Sequence, residues 1–255
     1  MKLQVLGCAG GIGGRERFTT SLLVDNDILL DAGTGLTTLD IDQLVKIDHV
    51  FITHCHLDHV AGLALLVDAV QGKKKGAVTV HATEKVIATL KKHLFNWMLW
   101  PDFATIPTPE NPTLRWETIE PNSTVDLGGR LITPYPVNHT AGSVAYWVHN
   151  GKAGFLFTGD MSSTPELWSA LANETRLQQV IVDCSFANAD MVIAERSMHF
   201  CPRSLLAEIR NVAHSIEFLI YHLKPGHEDL IMQELRSEGG TREFKALKCG
   251  DVFNF

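Results

Sequence analysis

His54-Cys55-His56-Leu57-Asp58-His59 sets three imidazoles and a carboxylate within six residues, directly behind the apolar run Asp48 to Thr53. That run reads as a short buried strand. Imidazole and carboxylate are the ligand types that divalent first-row metals prefer. In an extended turn His54 and His56 point the same way. A helix starting near Leu57, with Val60 to Val70 as its body, can present Asp58 and His59 to a second position. One segment could therefore serve two adjacent ions.

Outward from this segment the chain alternates strands and helices. Lys2 to Gly7 reads as a strand entering the glycine run Gly10-Gly11-Ile12-Gly13-Gly14. Thr20 to Val24 and Ile28 to Leu30 flank the turn Asp25-Asn26-Asp27, a hairpin signal that ends at Asp31-Ala32-Gly33-Thr34-Gly35. Leu36 to Lys46 has helix-like spacing, Ala77 to His81 is strand-like, and Thr83 is placed to cap a helix running to His93. Residues 95–112 carry four prolines and read as a packed surface loop or lid. Strand signals resume at Leu131 to Val137, Ser143 to Val148, Phe155 to Thr158, Gln179 to Asp183 and Ile216 to Tyr221. Helical patterns cover Arg203 to Ala213 and Glu228 to Arg236, and Glu243 to Leu247 reads as an end strand. The two halves share an outline: hairpins, a strand ending in a polar cluster, then a helix. Two covered sheets with helices outside, an α/β class fold, would use every element. No linker splits the chain, so one domain over residues 1–255 is expected.

Three later strands end in further ligand types. His139 follows Leu131 to Val137, Asp160 closes Phe157-Thr158-Gly159-Asp160, and His222 follows Ile216 to Tyr221. Each sits where a strand gives way to a loop, as expected of a site built along one sheet edge.

The His-x-His-x-Asp-His signature at His54 to His59, followed in order by His139, Asp160 and His222, resembles the metallo-β-lactamase superfamily of dinuclear metallohydrolases. The resemblance implies a four-layer αββα sandwich and two divalent metal ions. Zinc is expected, and this ligand chemistry also accepts manganese or iron. It implies that His54, His56 and His139 hold one ion, that Asp58, His59 and His222 hold the other, and that Asp160 bridges them. Cys8 to Gly14, Thr20 to Asp25, Leu30 to Gly35, Thr53 to Gly62, Phe95-Asn96-Trp97 and Tyr221-His222-Leu223-Lys224-Pro225 are similar to class II 3′,5′-cyclic-nucleotide phosphodiesterases. Ribonuclease Z-type tRNA 3′-processing enzymes are relatives with the same core. By this likeness Asp58 orients the attacking water as well as ligating. His199, in Ser197-Met198-His199-Phe200-Cys201-Pro202, matches a helix-start histidine that protonates the leaving oxygen. Asp183 stands where the relatives carry an acidic partner, often the longer glutamate. The expected function is hydrolysis of a small anionic phosphodiester, a 3′,5′-cyclic nucleotide opened to its 5′-monophosphate. RNA 3′-processing and non-catalytic nucleotide sensing are the alternatives.

Composition supports a small substrate over a polymer. The chain has 255 residues, is 45% hydrophobic and 20% charged, and carries a formal charge of −7. Phosphate-backbone binding needs a basic surface, and Lys73-Lys74-Lys75 reads as a solvated turn. Two divalent ions would still give an anionic substrate a local positive field. The five scattered cysteines read as free thiols in a reducing compartment, with Cys55 turned away from the ligands that flank it. No apolar run approaches the roughly 18–20 residues of a membrane span. Val5-Leu6-Gly7-Cys8 lacks the segments of a lipoprotein signal, so a cytoplasmic protein without membrane attachment is expected. Gly11 and Gly13 offer backbone N–H groups to a phosphate or simply form a tight turn; Arg15 and Arg17 either steer an anion or face solvent. Phe95, Trp97, Trp100 and Phe103 form a base-stacking wall, with Trp97 as the binding residue, or a homodimer interface, and their number favours the interface.

Overall fold

The computed structural model describes residues 1–14, 17–213 and 215–255. The first half contains β1 (Lys2–Gly7), β2 (Ser21–Val24), β3 (Ile28–Leu30), α1 (Ile41–Leu44), β4 (His49–Phe51), α2 (Leu57–Val70), β5 (Val78–Ala82), α3 (Glu84–His93), a small ribbon of β6 (Pro107–Thr108) and β7 (Asn111–Pro112), and β8 (Leu114–Thr118). The second contains β9 (Val125–Leu127), β10 (Arg130–Pro136), β11 (Val144–His149), β12 (Gly154–Phe157), α4 (Pro165–Leu171), β13 (Leu177–Asp183), α5 (Met191–Arg196), α6 (Pro202–Glu208), β14 (Glu217–Tyr221), α7 (Glu228–Glu238), β15 (Phe244–Ala246) and β16 (Val252–Asn254).

Among the described residues these strands build two seven-stranded sheets, β16-β1-β2-β3-β4-β5-β8 and β15-β14-β13-β12-β11-β10-β9. In the first, β16 through β3 pair antiparallel and β3 through β8 pair parallel. The second repeats this, antiparallel from β9 to β12 and parallel from β12 to β15. The outline shared by the two halves of the sequence is therefore a shared topology.

Strand alternation makes three apolar layers and so four structural ones. Val50 and Ile52 pack outward with Val60, Leu63, Val67 and Leu90 of α2 and α3, whereas Phe51 points inward. On the second sheet Val180, Val182, Phe218 and Ile220 face α4, α6 and α7, while Ile181, Leu219 and Tyr221 face inward to meet Phe51, Tyr146 and Phe155. Each such side chain contributes roughly 1.5–3 kcal/mol of burial. The chain thus has the expected αββα sandwich. No helix among the described residues is long and apolar enough to cross a membrane.

Several local expectations change. Leu36 to Lys46 is a 3-10 turn, Thr34–Thr38, followed by the single turn α1, because Asp40 and Gln43 cap each other and restart the helix. The helix expected over Arg203 to Ala213 stops at Glu208, and the Arg242 guanidinium takes the carbonyls of Ile209, Val212 and Ala213. Thr83 precedes α3 but does not cap it; its hydroxyl donates to the Gly142 carbonyl. The aromatic residues of 95–112 do not act as one surface. Phe95 and Phe103 belong to the core beneath the first sheet and Trp100 packs on it, leaving Trp97 exposed with Met98 and Leu99.

Candidate metal centre

The ligand candidates come from the carboxyl ends of strands in both halves, where loops leave the sheets. β4 runs into His54, α2 starts at Leu57 with His56 at its N-cap, and β10, β12 and β14 lead to His139, Asp160 and His222. Two groups form. His54, His56, His139 and Asp160 bring ligand atoms within 4.8 Å of one another, and Asp58, His59, Asp160 and His222 do the same. Asp160 belongs to both. Its Oδ2 lies 3.6 Å from His54 Nε2, 3.9 Å from His139 Nε2 and 3.2 Å from His222 Nε2, and its Oδ1 lies 3.3 Å from His59 Nε2. Tyr221 donates to Asp160 Oδ1 at 2.9 Å.

Hydrogen bonds behind the rings decide which nitrogen faces inward. Thr53 Oγ1–H donates to Asp31 Oδ2 at 2.8 Å, so the Thr53 oxygen accepts Nδ1–H of His54 at 3.0 Å. Asp31 Oδ2 accepts Nδ1–H of His59 at 2.6 Å, and the Met198 carbonyl accepts Nδ1–H of His139 at 3.0 Å. In the neutral form of each ring Nε2 is then the bare nitrogen, and it is turned toward Asp160. His54 Nε2, His59 Nε2 and Asp160 Oδ2 are buried without a hydrogen-bond partner. Lone pairs facing a carboxylate in a buried site call for a cation, so the donor set fits divalent metal.

Charge follows the same pattern. Burial holds the His54, His56 and His139 imidazoles below the usual histidine range and so keeps them neutral, against the pull of Asp160. Burial also opposes charge on His59 and on Asp160, but the neighbours win: Asp160 and Asp31 raise His59, and His222 and His59 lower Asp160. Asp58, whose Oδ2 lies 2.9 Å from His222 Nε2, is lowered by that histidine and by His59 despite its burial.

His199 and Asp183 stand beside this cluster. His199 Nδ1 lies 2.6 Å from Asp183 Oδ2, so the aspartate reaches the ring without the extra methylene of glutamate. The His199 ring stacks on His222 with centroids 5.0 Å apart, and its centroid is also 5.0 Å from that of His139. Burial works against its charge, but Asp183 outweighs it and raises the pKa.

The other sequence candidates fall differently. Gly10 packs against His222, since a Cβ there would stand 2.2 Å from the His222 carbonyl oxygen. Gly11 and Gly13 lie beside Pro225. Arg15 lies outside the described residues, and Arg17 pairs with Glu228. Trp97 is exposed at the tip of its own turn, where its N–H bonds the Trp100 carbonyl. Cys55 is half-buried with its thiol on the Val86 carbonyl, away from the ligands, and all five cysteines are free. Asp31, Thr53 and Ser185 were missed. Asp31 at the end of β3 was visible as a strand-end acid, but its partner is 28 residues away; Thr53 and Ser185 carry no signature beyond a hydroxyl at a strand end.

Residues 26–222 match the model of the beta-lactamase superfamily domain. The chain is similar to the 3′,5′-cyclic-nucleotide phosphodiesterase of Schizosaccharomyces pombe, with 29% identity over 250 residues, 82% of this chain and 70% of that one. It is also similar to ribonuclease Z of Clostridium beijerinckii, 23% identical over 85% of this chain and 71% of the other. Among solved structures, unliganded yeast PDE1 superposes with a TM-score of 0.84 at 18% identity, covering 100% of this chain and 99% of that one. The metallo-beta-lactamase fold protein YhfI from Bacillus subtilis does so at 0.79 and 20%, covering 99% of each. These structural likenesses concern the fold.

Proposed function

The chain belongs to the beta-lactamase superfamily domain family, a hydrolase fold with a metal-binding His/Asp cluster, and from this premise we propose a dinuclear phosphodiesterase that opens a 3′,5′-cyclic nucleotide to its 5′-monophosphate. His54, His56 and His139 would hold one ion, Asp58, His59 and His222 the other, with Asp160 shared. Divalent ions supply positive charge to phosphoryl oxygens and acidify water at such a site. Zinc suits the imidazole-rich donors, which also accept manganese or iron.

The observation that carries the reading is the 2.6 Å contact between His199 Nδ1 and Asp183 beside the cluster. A ribose alkoxide is a poor leaving group unless it is protonated as it departs. With Nδ1–H tied to Asp183, the other proton of the imidazolium sits on Nε2, free to reach the departing oxygen. Asp183 raises the pKa of the ring and so favours retention of that proton, against the effect of burial. Asp58, half-buried, would orient the attacking water. Thioester hydrolysis, whose thiolate departs without a proton, calls for no such acid. A cytoplasmic homodimer, with the exposed tip Trp97-Met98-Leu99 in its interface, belongs to the same proposal.

The test is turnover of zinc-loaded protein on 3′,5′-cyclic AMP and cyclic GMP with products separated by chromatography, beside a folded Asp58→Ala control. Conversion to the 5′-monophosphate is expected. Cleavage of bis(p-nitrophenyl) phosphate without cyclic-nucleotide turnover would overturn the substrate and leave the phosphodiesterase chemistry, and RNA with a 3′ extension would then be the substrate to try.

A further inference from the structure

Each half of the molecule anchors two histidines on one carboxylate–hydroxyl pair. In the first half the pair is Asp31 and Thr53, holding His54 and His59 through their Nδ1 atoms. In the second it is Asp183 and Ser185, both fully buried. Ser185 Oγ–H donates to Asp183 Oδ1 at 2.6 Å. His222 Nδ1 lies 2.8 Å from Ser185 Oγ, and His199 Nδ1 lies 2.6 Å from Asp183 Oδ2 and 3.4 Å from Ser185 Oγ. Asp183, His199 and His222 therefore gather as a third group of ligand-type atoms, but the serine hydroxyl reaches all three and makes the group a hydrogen-bond node.

Proton accounting fixes the roles. A serine hydroxyl carries one proton, and an ionised carboxylate can only accept. With that proton on Asp183, Ser185 Oγ offers His222 only lone pairs, so Nδ1 must be the protonated nitrogen. Nε2 is then bare. It faces two carboxylate oxygens, Asp58 Oδ2 at 2.9 Å and Asp160 Oδ2 at 3.2 Å. Those acids alone would draw the proton to Nε2, the atom a metal needs. Ser185 opposes them.

We propose that Ser185 is a positioning residue that holds His222 in its Nδ1–H tautomer and, through the shared Asp183, joins the proton-bearing His199 to the His222 half of the metal centre. The inference rests on the metal-dependent reading given above. Removing the hydroxyl leaves His222 Nδ1 buried without an acceptor, and the Asp58 side then captures the ring proton. The His54 half, anchored by Thr53 and Asp31, is untouched.

The test uses the full chain stripped of metal and labelled with nitrogen-15 at histidine, recorded at alkaline pH so that neutral tautomers are compared. Long-range proton–nitrogen spectra of wild type should show His222 protonated on Nδ1. Ser185→Ala should move that proton to Nε2 or average the two forms, with His199 keeping its Nδ1 proton, and Ser185→Thr should restore the wild-type pattern. In zinc titrations against a chromophoric chelator, one of two binding steps should weaken 10- to 100-fold in Ser185→Ala, the scale of outer-shell losses, with the other unchanged and Ser185→Thr again restoring it. An unaltered His222 tautomer in a folded Ser185→Ala protein overturns the proposal, as does equal weakening of both steps. The spectra need neither substrate nor bound zinc. A failed phosphodiesterase assay therefore leaves this inference standing, and an unchanged tautomer leaves the assay standing.

Discussion

His199 is the residue whose contribution depends most on what the substrate asks of it. In the proposed reaction its proton matters when the departing oxygen is strongly basic and hardly at all when it is a stable phenolate. His199→Gln should therefore lower kcat on a cyclic nucleotide by roughly 10²- to 10⁴-fold, the usual range for general acid catalysis, while bis(p-nitrophenyl) phosphate is cleaved nearly as before. Equal losses on both substrates would remove the acid role. His81 shows what burial does to an imidazole with no such partner. Its Nε2 lies 2.9 Å from His49 Nδ1, its own Nδ1 is buried without a partner, and its ring stacks on Phe51. Burial pushes its pKa down to about 4. The folded protein thus keeps His81 neutral while the unfolded chain protonates near 6.5. The resulting stability is complete above pH 6.5 and is lost as the pH falls from there toward 4. Between pH 7 and pH 5 this group alone costs about 2 kcal/mol. His81→Gln should make urea-measured stability fall by that much less over the same interval.

At the scale of elements, the centre is held by strand ends and by close backbone approaches around them. Gly10 shows this best. A Cβ there would meet the His222 carbonyl oxygen at 2.2 Å and His222 Nδ1 at 2.7 Å, whereas one at Gly11 would find Pro225 Cδ at an ordinary 3.4 Å. Gly10→Ala should therefore weaken zinc binding without altering a ligand and cost about 1–3 kcal/mol of stability, while Gly11→Ala leaves both measurements near wild type. Equal behaviour of the two variants in calorimetry would show that the glycine turn does not set His222. The same elements mark the reach of the sequence. The passage from β4 into α2 was legible because its ligands are neighbours in the chain and its apolar residues repeat with the right periods. Edge strands such as Val125–Leu127 and Val252–Asn254 were not, being three residues long and held by backbone pairing with a neighbouring strand. Helix α5 escaped because Val192 and Ile193 are exposed, leaving six residues without an apolar face. The metal-ligand types were visible one by one, but Thr53 and Ser185 act through partners that only the folded chain brings together.

For the whole molecule, two similar halves meet along a buried seam whose end is crowded with carboxylates and imidazoles. Asp160 is buried between four histidine rings, each of which turns its Nε2 toward it. Without a cation this arrangement is held by protonating rings such as His59, against the cost of burying charge. Divalent ions held by the two groups would remove that conflict and together tie β4, β10, β12 and β14, which come from both sheets. Metal binding should therefore act as folding free energy for both halves together. At free zinc about 100 times the dissociation constant, linkage gives roughly 2.7 kcal/mol per site. For a chain of this size that raises Tm by about 5–10 °C for each ion bound. Calorimetry of zinc-loaded and chelator-stripped protein should show one transition in both states, shifted upward by zinc, with Asp160→Asn abolishing most of the shift. A second transition appearing only after stripping would mean that the halves fold separately and the metal merely joins them. A single transition that zinc leaves in place would mean that the seam is stable on its own, with protonated rings in the role assigned to the ions.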